Sequence, residues 1–114
     1  MTHIGDDEAA EVLLWLARNE FDLRSRIGGT GEGFGDEQSI WSRGPARVRV
    51  TRDRGQWWCD VSWGLSTVWL DVHDVAGAMQ TKEYRTTDRL AWVISSLRSE
   101  TYDALAKTLG SAHT

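Results

Sequence analysis

The sequence predicts an α+β fold: an antiparallel β-meander of three to four strands packed against an N-terminal and a C-terminal α-helix. Alternating apolar and polar residues run through 46–72, helical spacing of apolar residues flanks that region on both sides, and glycine-containing turns of hairpin type divide it. A length of 114 residues fits one domain over 1–114, and 40% hydrophobic with 26% charged residues is an ordinary globular composition. Seven tryptophans exceed the one or two expected in about this length, so their placement needs a reason.

A helix is expected over 6–27. Asp6, Asp7 and Glu8 suit the positive end of a helix dipole, and Val12, Leu13, Leu16, Leu23 and Ile27 recur at helical spacing. Gly28 and Gly29 would end it, since glycine adopts the left-handed cap conformation without strain. Trp15 and Phe21 lie off the main stripe. The following loop, GGTGEGFGD over 28–36, has alternating glycines. It follows a helix instead of joining a strand to one, no Lys-Ser/Thr follows it, and Glu32, Asp36 and Glu37 would repel a phosphate. It therefore reads as a connector.

A short edge strand is expected over 38–42, ahead of Gly44-Pro45. Three further strands follow from alternation: Ala46, Val48 and Val50 against Arg47, Arg49 and Thr51; Trp57, Cys59, Val61 and Trp63 against Trp58, Asp60 and Ser62; Val68, Leu70 and Val72 against Thr67, Trp69 and Asp71. Gly64-Leu65 suits a type II′ turn, which would pair Trp63 with Ser66, Val61 with Val68, Cys59 with Leu70, Asp60 with Trp69 and Trp58 with Asp71. For the preceding hairpin, a four-residue turn over 52–55 pairs Val50 with Trp57, Val48 with Cys59, Arg49 with Trp58 and Arg47 with Asp60. A two-residue turn at Arg54-Gly55 slides the pairs and keeps the faces, because the side-chain period is two. Either way Val48, Val50, Cys59, Val61, Val68 and Leu70 face the core, and Arg47, Arg49, Trp58, Asp60, Trp69 and Asp71 face outward.

Residues 74–85 fit either a short helix or a loop around Val75, Ala76 and Met79. A final helix is expected over 87–109, capped by Thr87 or Asp88, stopped by Gly110, with a buried stripe of Leu90, Val93, Ile94, Leu97, Thr101, Ala104 and Leu105.

The net charge of −4 is unevenly spread. Residues 1–20 set Asp6, Asp7, Glu8, Glu11 and Glu20 against Arg18, whereas 43–54 set Arg43, Arg47, Arg49, Arg52 and Arg54 against Asp53. A pI near 5.3 argues against nucleic-acid binding, which favours a basic domain. The acidic N-terminus lacks the basic and apolar regions of a signal peptide, no apolar run approaches the roughly 18–20 residues of a membrane span, and Cys59 has no disulfide partner. A cytoplasmic protein with no membrane association is expected.

Catalytic signals are weak throughout. Asp71, His73 and Asp74 form a D-x-H-D cluster with no second histidine nearby, which reads as a polar strand end instead of a metal site. Cys59 falls on a core face, unsuited to a thiolate, and no serine sits in a nucleophile elbow. A non-enzymatic protein without metal or cofactor is expected. The outer-face set Arg47, Arg49, Trp58, Asp60, Trp69 and Asp71 combines residue types enriched in binding hot spots, with Asp6, Asp7, Glu8, Glu32, Asp36 and Glu37 as acidic contacts for a basic partner. The expected function is occlusion of another protein, such as a toxin, nuclease or other effector. In size and charge the chain is similar to immunity proteins and small phage-encoded inhibitors of anti-CRISPR type, although no residue motif carries that likeness. Two alternatives are a dimeric secretion or assembly chaperone and a small-molecule binder using Trp57, Trp63 and Trp92 as pocket walls.

Overall fold

A computed structural model describes residues 3–28 and 36–110. The chain runs α1 (Asp6–Arg18), β1 (Asp22–Gly28), β2 (Glu37–Arg43), β3 (Ala46–Asp53), β4 (Gln56–Trp63), β5 (Leu70–Asp71), α2 (Val72–Ala78), α3 (Thr86–Ser96), α4 (Ser99–Leu105) and a closing π-turn, Ala106–Gly110. The five strands form one antiparallel meander in the order β1-β2-β3-β4-β5. This is the predicted α+β arrangement with one strand more than expected.

The additional strand replaces the second half of the expected N-terminal helix. α1 stops at Arg18 because Asn19 folds back: its backbone N–H and its side-chain Nδ2 both donate to the Trp15 carbonyl, at 2.9 and 2.8 Å. Glu20 takes φ 65°, and Phe21 N–H donates to Leu16 O at 3.1 Å, the six-to-one bond of a Schellman ending built without glycine. Phe21 is buried at this corner against Trp15, with ring centroids 5.7 Å apart. Leu23 and Ile27, 48% and 65% exposed, consequently sit on an edge strand and not in the core. β1 takes the edge that was expected of β2, which lies inside the sheet.

The β3–β4 hairpin uses the two-residue turn. Arg54 and Gly55 both have positive φ, 54° and 80°, as a type I′ turn requires, and the ladder runs Asp53 to Gln56, Val50 to Cys59 and Val48 to Val61. After β4, Gly64 at φ 59° and a Ser66 N–H to Trp63 O bond of 3.2 Å form the expected turn. The return strand, however, does not pair from it. Residues 66–69 bulge away, and β5 pairs only at Val61 to Leu70 and Asp60 to Asp71. This corrects the expected Val61–Val68, Cys59–Leu70, Asp60–Trp69 and Trp58–Asp71 pairs, and Val68 is 37% exposed instead of facing the core.

Val48, Val50, Cys59, Val61 and Leu70 do face inward, packing with Val12 and Leu16 of α1, Val72, Val75 and Ala76 of α2, and Leu90 and Val93 of α3. α2 settles the open reading of 74–85 as part helix, part loop. The expected single C-terminal helix is two. Leu97 and Arg98 are extended, and the Arg98 guanidinium donates to the Ser95 and Leu97 carbonyls at 3.1 and 2.9 Å, satisfying acceptors that a continuous helix would have used. The break turns α4 so that Tyr102 is buried, while Thr101 and Ala104 of the expected stripe are exposed. Among the described residues no helix is long and apolar enough to cross a membrane.

Candidate functional site

The outer sheet face is organised in rungs fixed by strand register. One rung runs Ile27–Gln38–Thr51–Trp58 across four strands. The next runs Ser25–Ile40–Arg49–Asp60–Asp71, and a third contains Ser42, Arg47 and Ser62. The rungs differ in how far they are already occupied.

The third rung and the β4–β5 end of the second are engaged within the chain. Arg47 and Arg49 both stack on Trp69, their guanidinium carbons 5.0 and 4.6 Å from the ring centroid. Arg49 also donates through Nε and Nη2 to Asp60 Oδ2 at 3.2 and 2.9 Å. Arg47 Nη2 donates to Ser62 Oγ at 3.0 Å and to the Ser66 carbonyl, while its Nε is buried with no acceptor. Tyr102 closes the corner, its hydroxyl donating to the Val68 carbonyl and lying 3.3 Å from both Ser62 Oγ and Ser66 Oγ. Of the six outer-face residues picked from sequence, Arg47, Arg49, Asp60 and Trp69 thus form one internal cluster.

Asp71 has a local task. Its Oδ1 caps α2, accepting from the backbone N–H groups of His73 and Asp74 at 2.9 and 3.4 Å. Its Oδ2 is buried without a partner, and Asp60 stands opposite on β4. Burial pushes the Asp71 carboxyl above its usual range, and nearby Asp74 and Asp60 add to the rise against the lowering effect of the cap bond.

His73 points into a helix junction. Arg89 Nη1 donates to His73 Nδ1 at 2.9 Å, and arginine is only ever a donor, so the neutral ring carries its proton on Nε2 and donates to Thr86 Oγ1 at 3.1 Å. Thr86 in turn donates to Glu8. Burial lowers the His73 pKa, and Arg89 lowers it further against the opposing influence of Asp71, Glu8 and Asp74. The chain Arg89–His73–Thr86–Glu8 joins α3, α2 and α1. Burial pushes the Cys59 thiol well above its usual value, so it is held as a neutral core group. Among the described residues no three His, Cys, Asp or Glu side chains come together as a metal site.

The acidic candidates are largely paired. Asp6 Oδ1 accepts from Trp57 Nε1 at 2.8 Å, Asp36 Oδ1 from Arg54 N–H at 3.0 Å, and Glu37 meets Arg26 and Arg52 at 3.4 and 3.9 Å. Glu8 belongs to the helix junction, Asp7 is exposed in the first turn of α1, and Glu32 lies outside the described residues. Trp57 is buried in the core, and Trp63 and Trp92 are partly buried at the margin of that core.

Among the described residues, no hydrogen bond or ion pair engages the side chains of the first rung. Trp58, Thr51 and Gln38 are half-buried, Ile27 is exposed, and Ile40 lies beside them. Two shallow depressions flank this rung. One of about 350 Å³ is lined by Gln38, Arg49, Thr51, Asp53, Trp58 and Asp60; the other, of about 300 Å³, lies between Ile27 and Arg52. Sequence reasoning found Trp58 and missed Ile27, Gln38, Ile40 and Thr51. For Ile27 the signal was present: Phe21, Leu23 and Ile27 alternate with Asp22, Arg24 and Arg26 as in a strand. Compared with known proteins, the chain matches no family model, no curated protein and no solved structure.

Proposed function

We propose that this chain is a non-catalytic protein-binding module of the inhibitor or immunity type, which occludes a partner protein such as a toxin, nuclease or other effector. The observation that carries this reading is the rung Ile27–Gln38–Thr51–Trp58, unengaged among the described residues: an isoleucine and a tryptophan bracket two polar side chains on four hydrogen-bonded strands. A rigid sheet face with an aromatic anchor loses little conformational entropy on binding, and tryptophan is enriched among interface hot spots. The internal Arg–Trp–Asp cluster beside it acts as a support that holds the sheet's shape and leaves Trp58 as the anchor. A net charge of −4 favours approach to a basic partner.

Affinity capture from the native host with wild type, Trp58→Ala and Ile27→Asp tests this. A protein that co-purifies with wild type should be lost in both variants while their circular dichroism is unchanged. Loss of a hot-spot tryptophan weakens binding by about 30-fold or more. The captured protein's own activity should fall in proportion to added wild-type chain. Capture that both variants leave intact, or a partner whose activity is unaffected, refutes the reading.

A further inference from the structure

We infer that the exposed edge of β1 is a second docking surface, built to accept an extended segment of another protein that carries an apolar and an acidic residue two positions apart. The inference rests on the protein-binding reading above and adds a surface and a partner chemistry to it.

The sheet has two edges of different capacity. β5 pairs over two residues, whereas β1 offers seven, Asp22–Gly28, and among the described residues it pairs on its β2 side only. An open strand edge presents unpaired main-chain donors and acceptors and is a template for strand addition. What β1 would select follows from its bulge. The register shifts between Leu23 and Ser25, so that Leu23 lies opposite Trp41 and Arg26 opposite Ser39. Trp41 and Ser39 share the α1-facing side of β2. Leu23 and Arg26, three apart in sequence, are thereby brought to the same face, which a regular strand would not do.

That face borders a cleft of about 240 Å³ between β1, β2 and α1, lined by Leu13, Leu23, Arg26, Glu37, Ser39 and Trp41. Its Leu13, Leu23 and Trp41 walls suit an apolar side chain. Arg26, whose side chain is 60% exposed, stands at the other end; its Nη2 meets Glu37 at 3.4 Å, and the five-donor fork accommodates a second carboxylate. In a regular incoming strand, side chains on one face are two residues apart, which sets the apolar-x-acidic pattern. A second copy of this chain paired antiparallel in the register centred on Ser25 would set Arg24 against Arg26, and like charges directly opposite are destabilising.

The test is titration of the full-length, ¹⁵N-labelled chain with a nine-residue synthetic peptide of alternating threonine, blocked at both ends, with leucine and glutamate two apart on one face. Amides of residues 22–28 should shift and exchange more slowly with solvent. N-methylation of one alternate set of peptide amides should abolish binding while the other set leaves it intact, a phase dependence that only main-chain pairing produces. Replacing the glutamate by lysine should weaken binding about fivefold, and leucine by alanine about tenfold. In Arg26→Gln the glutamate-to-lysine exchange should have little effect. No shift at millimolar peptide, equal loss from both methylation patterns, or shifts confined to Gln38, Thr51 and Trp58 would overturn the edge assignment. None of these outcomes touches the capture experiment on Trp58 and Ile27, so the two claims fail separately.

Discussion

Replacing Asp71 by asparagine should stabilise the protein at neutral pH, an unusual expectation for a helix cap. Asp71 is 4% exposed, its Oδ1 caps α2, and its Oδ2 has no partner while Asp60 faces it across the ladder. Asparagine keeps the capping oxygen and exchanges the unpartnered acceptor for an amide that can donate to Asp60. An unsatisfied buried acceptor costs about 1–3 kcal/mol and a facing like charge about 0.2–1 kcal/mol. Part of this is lost in fitting the amide, so Asp71→Asn should gain about 1–2 kcal/mol. With an unfolding entropy near 2.1 cal/mol/K per residue, a chain of this length gains about 4 °C in Tm per kcal/mol. Asp71→Ala removes the same oxygen and charge but also the cap, so its stability should fall about 1 kcal/mol short of that of Asp71→Asn.

The pH dependence distinguishes this cause from others. The folded Asp71 pKa is raised, so between 3.8 and the folded value the native state binds more protons than the unfolded state. Its favourable contribution is complete below 3.8 and is lost as pH rises through the folded pKa. The advantage of Asp71→Asn should therefore be near zero below pH 3.8 and grow to a plateau above the folded pKa. Urea unfolding followed by tryptophan fluorescence across this range measures it. A destabilised Asp71→Asn at pH 7, or an advantage independent of pH, would refute the reasoning.

Other consequences are equally direct. His73 has a depressed folded pKa, so wild-type stability should fall as pH drops below 6.5, and His73→Gln should flatten that slope in denaturation series between pH 7 and 5. Tyr102→Phe removes the hydroxyl that joins α4 to Ser62, Ser66 and Val68, and should cost about 1–2 kcal/mol by chemical denaturation with amide exchange rising first at 66–68. Arg54→Asn, at a type I′ position with φ 54°, should stabilise by about 0.5–1 kcal/mol, whereas Gly28→Ala should lower Tm by several degrees because φ is 80° and the new Cβ would lie 2.2 Å from Asp36 O.

The part of the fold that sequence reading captured was governed by local rules. Strict alternation in β3 and β4 put Val48, Val50, Cys59 and Val61 inward under either hairpin turn, because a slip that preserves parity preserves the faces. The errors arose where two periodicities coincide or where a tertiary contact overrides a local preference. Leu16, Leu23 and Ile27 fit a helical stripe, yet the same stretch alternates as a strand, and only the Asn19–Glu20 ending decides between them. Arg98 breaks the last helix through its side chain, with no glycine or proline to announce it. The Gly64 turn formed as expected but did not fix the register of β5, since Asp71 was drawn into capping α2.

For the candidate site, residue type was legible and availability was not. Arg47, Arg49, Asp60 and Trp69 were recognisable as hot-spot chemistry, but stacking and ion pairing among themselves engage them before any partner arrives. Trp58 differs from Trp69 in lying on a paired strand, and no arginine stacks on its ring among the described residues. That distinction depends on the loop at 66–69, whose conformation no period or turn rule specifies.

Site-specific photocrosslinking in the native host tests the Trp58 rung most directly. A benzophenone amino acid is placed at position 58 or, as a control, at position 65, which is fully exposed beyond the opposite end of β4. A covalent adduct with one protein is expected from position 58 and none from position 65. Equal adducts from both positions, or none from 58, would contradict it.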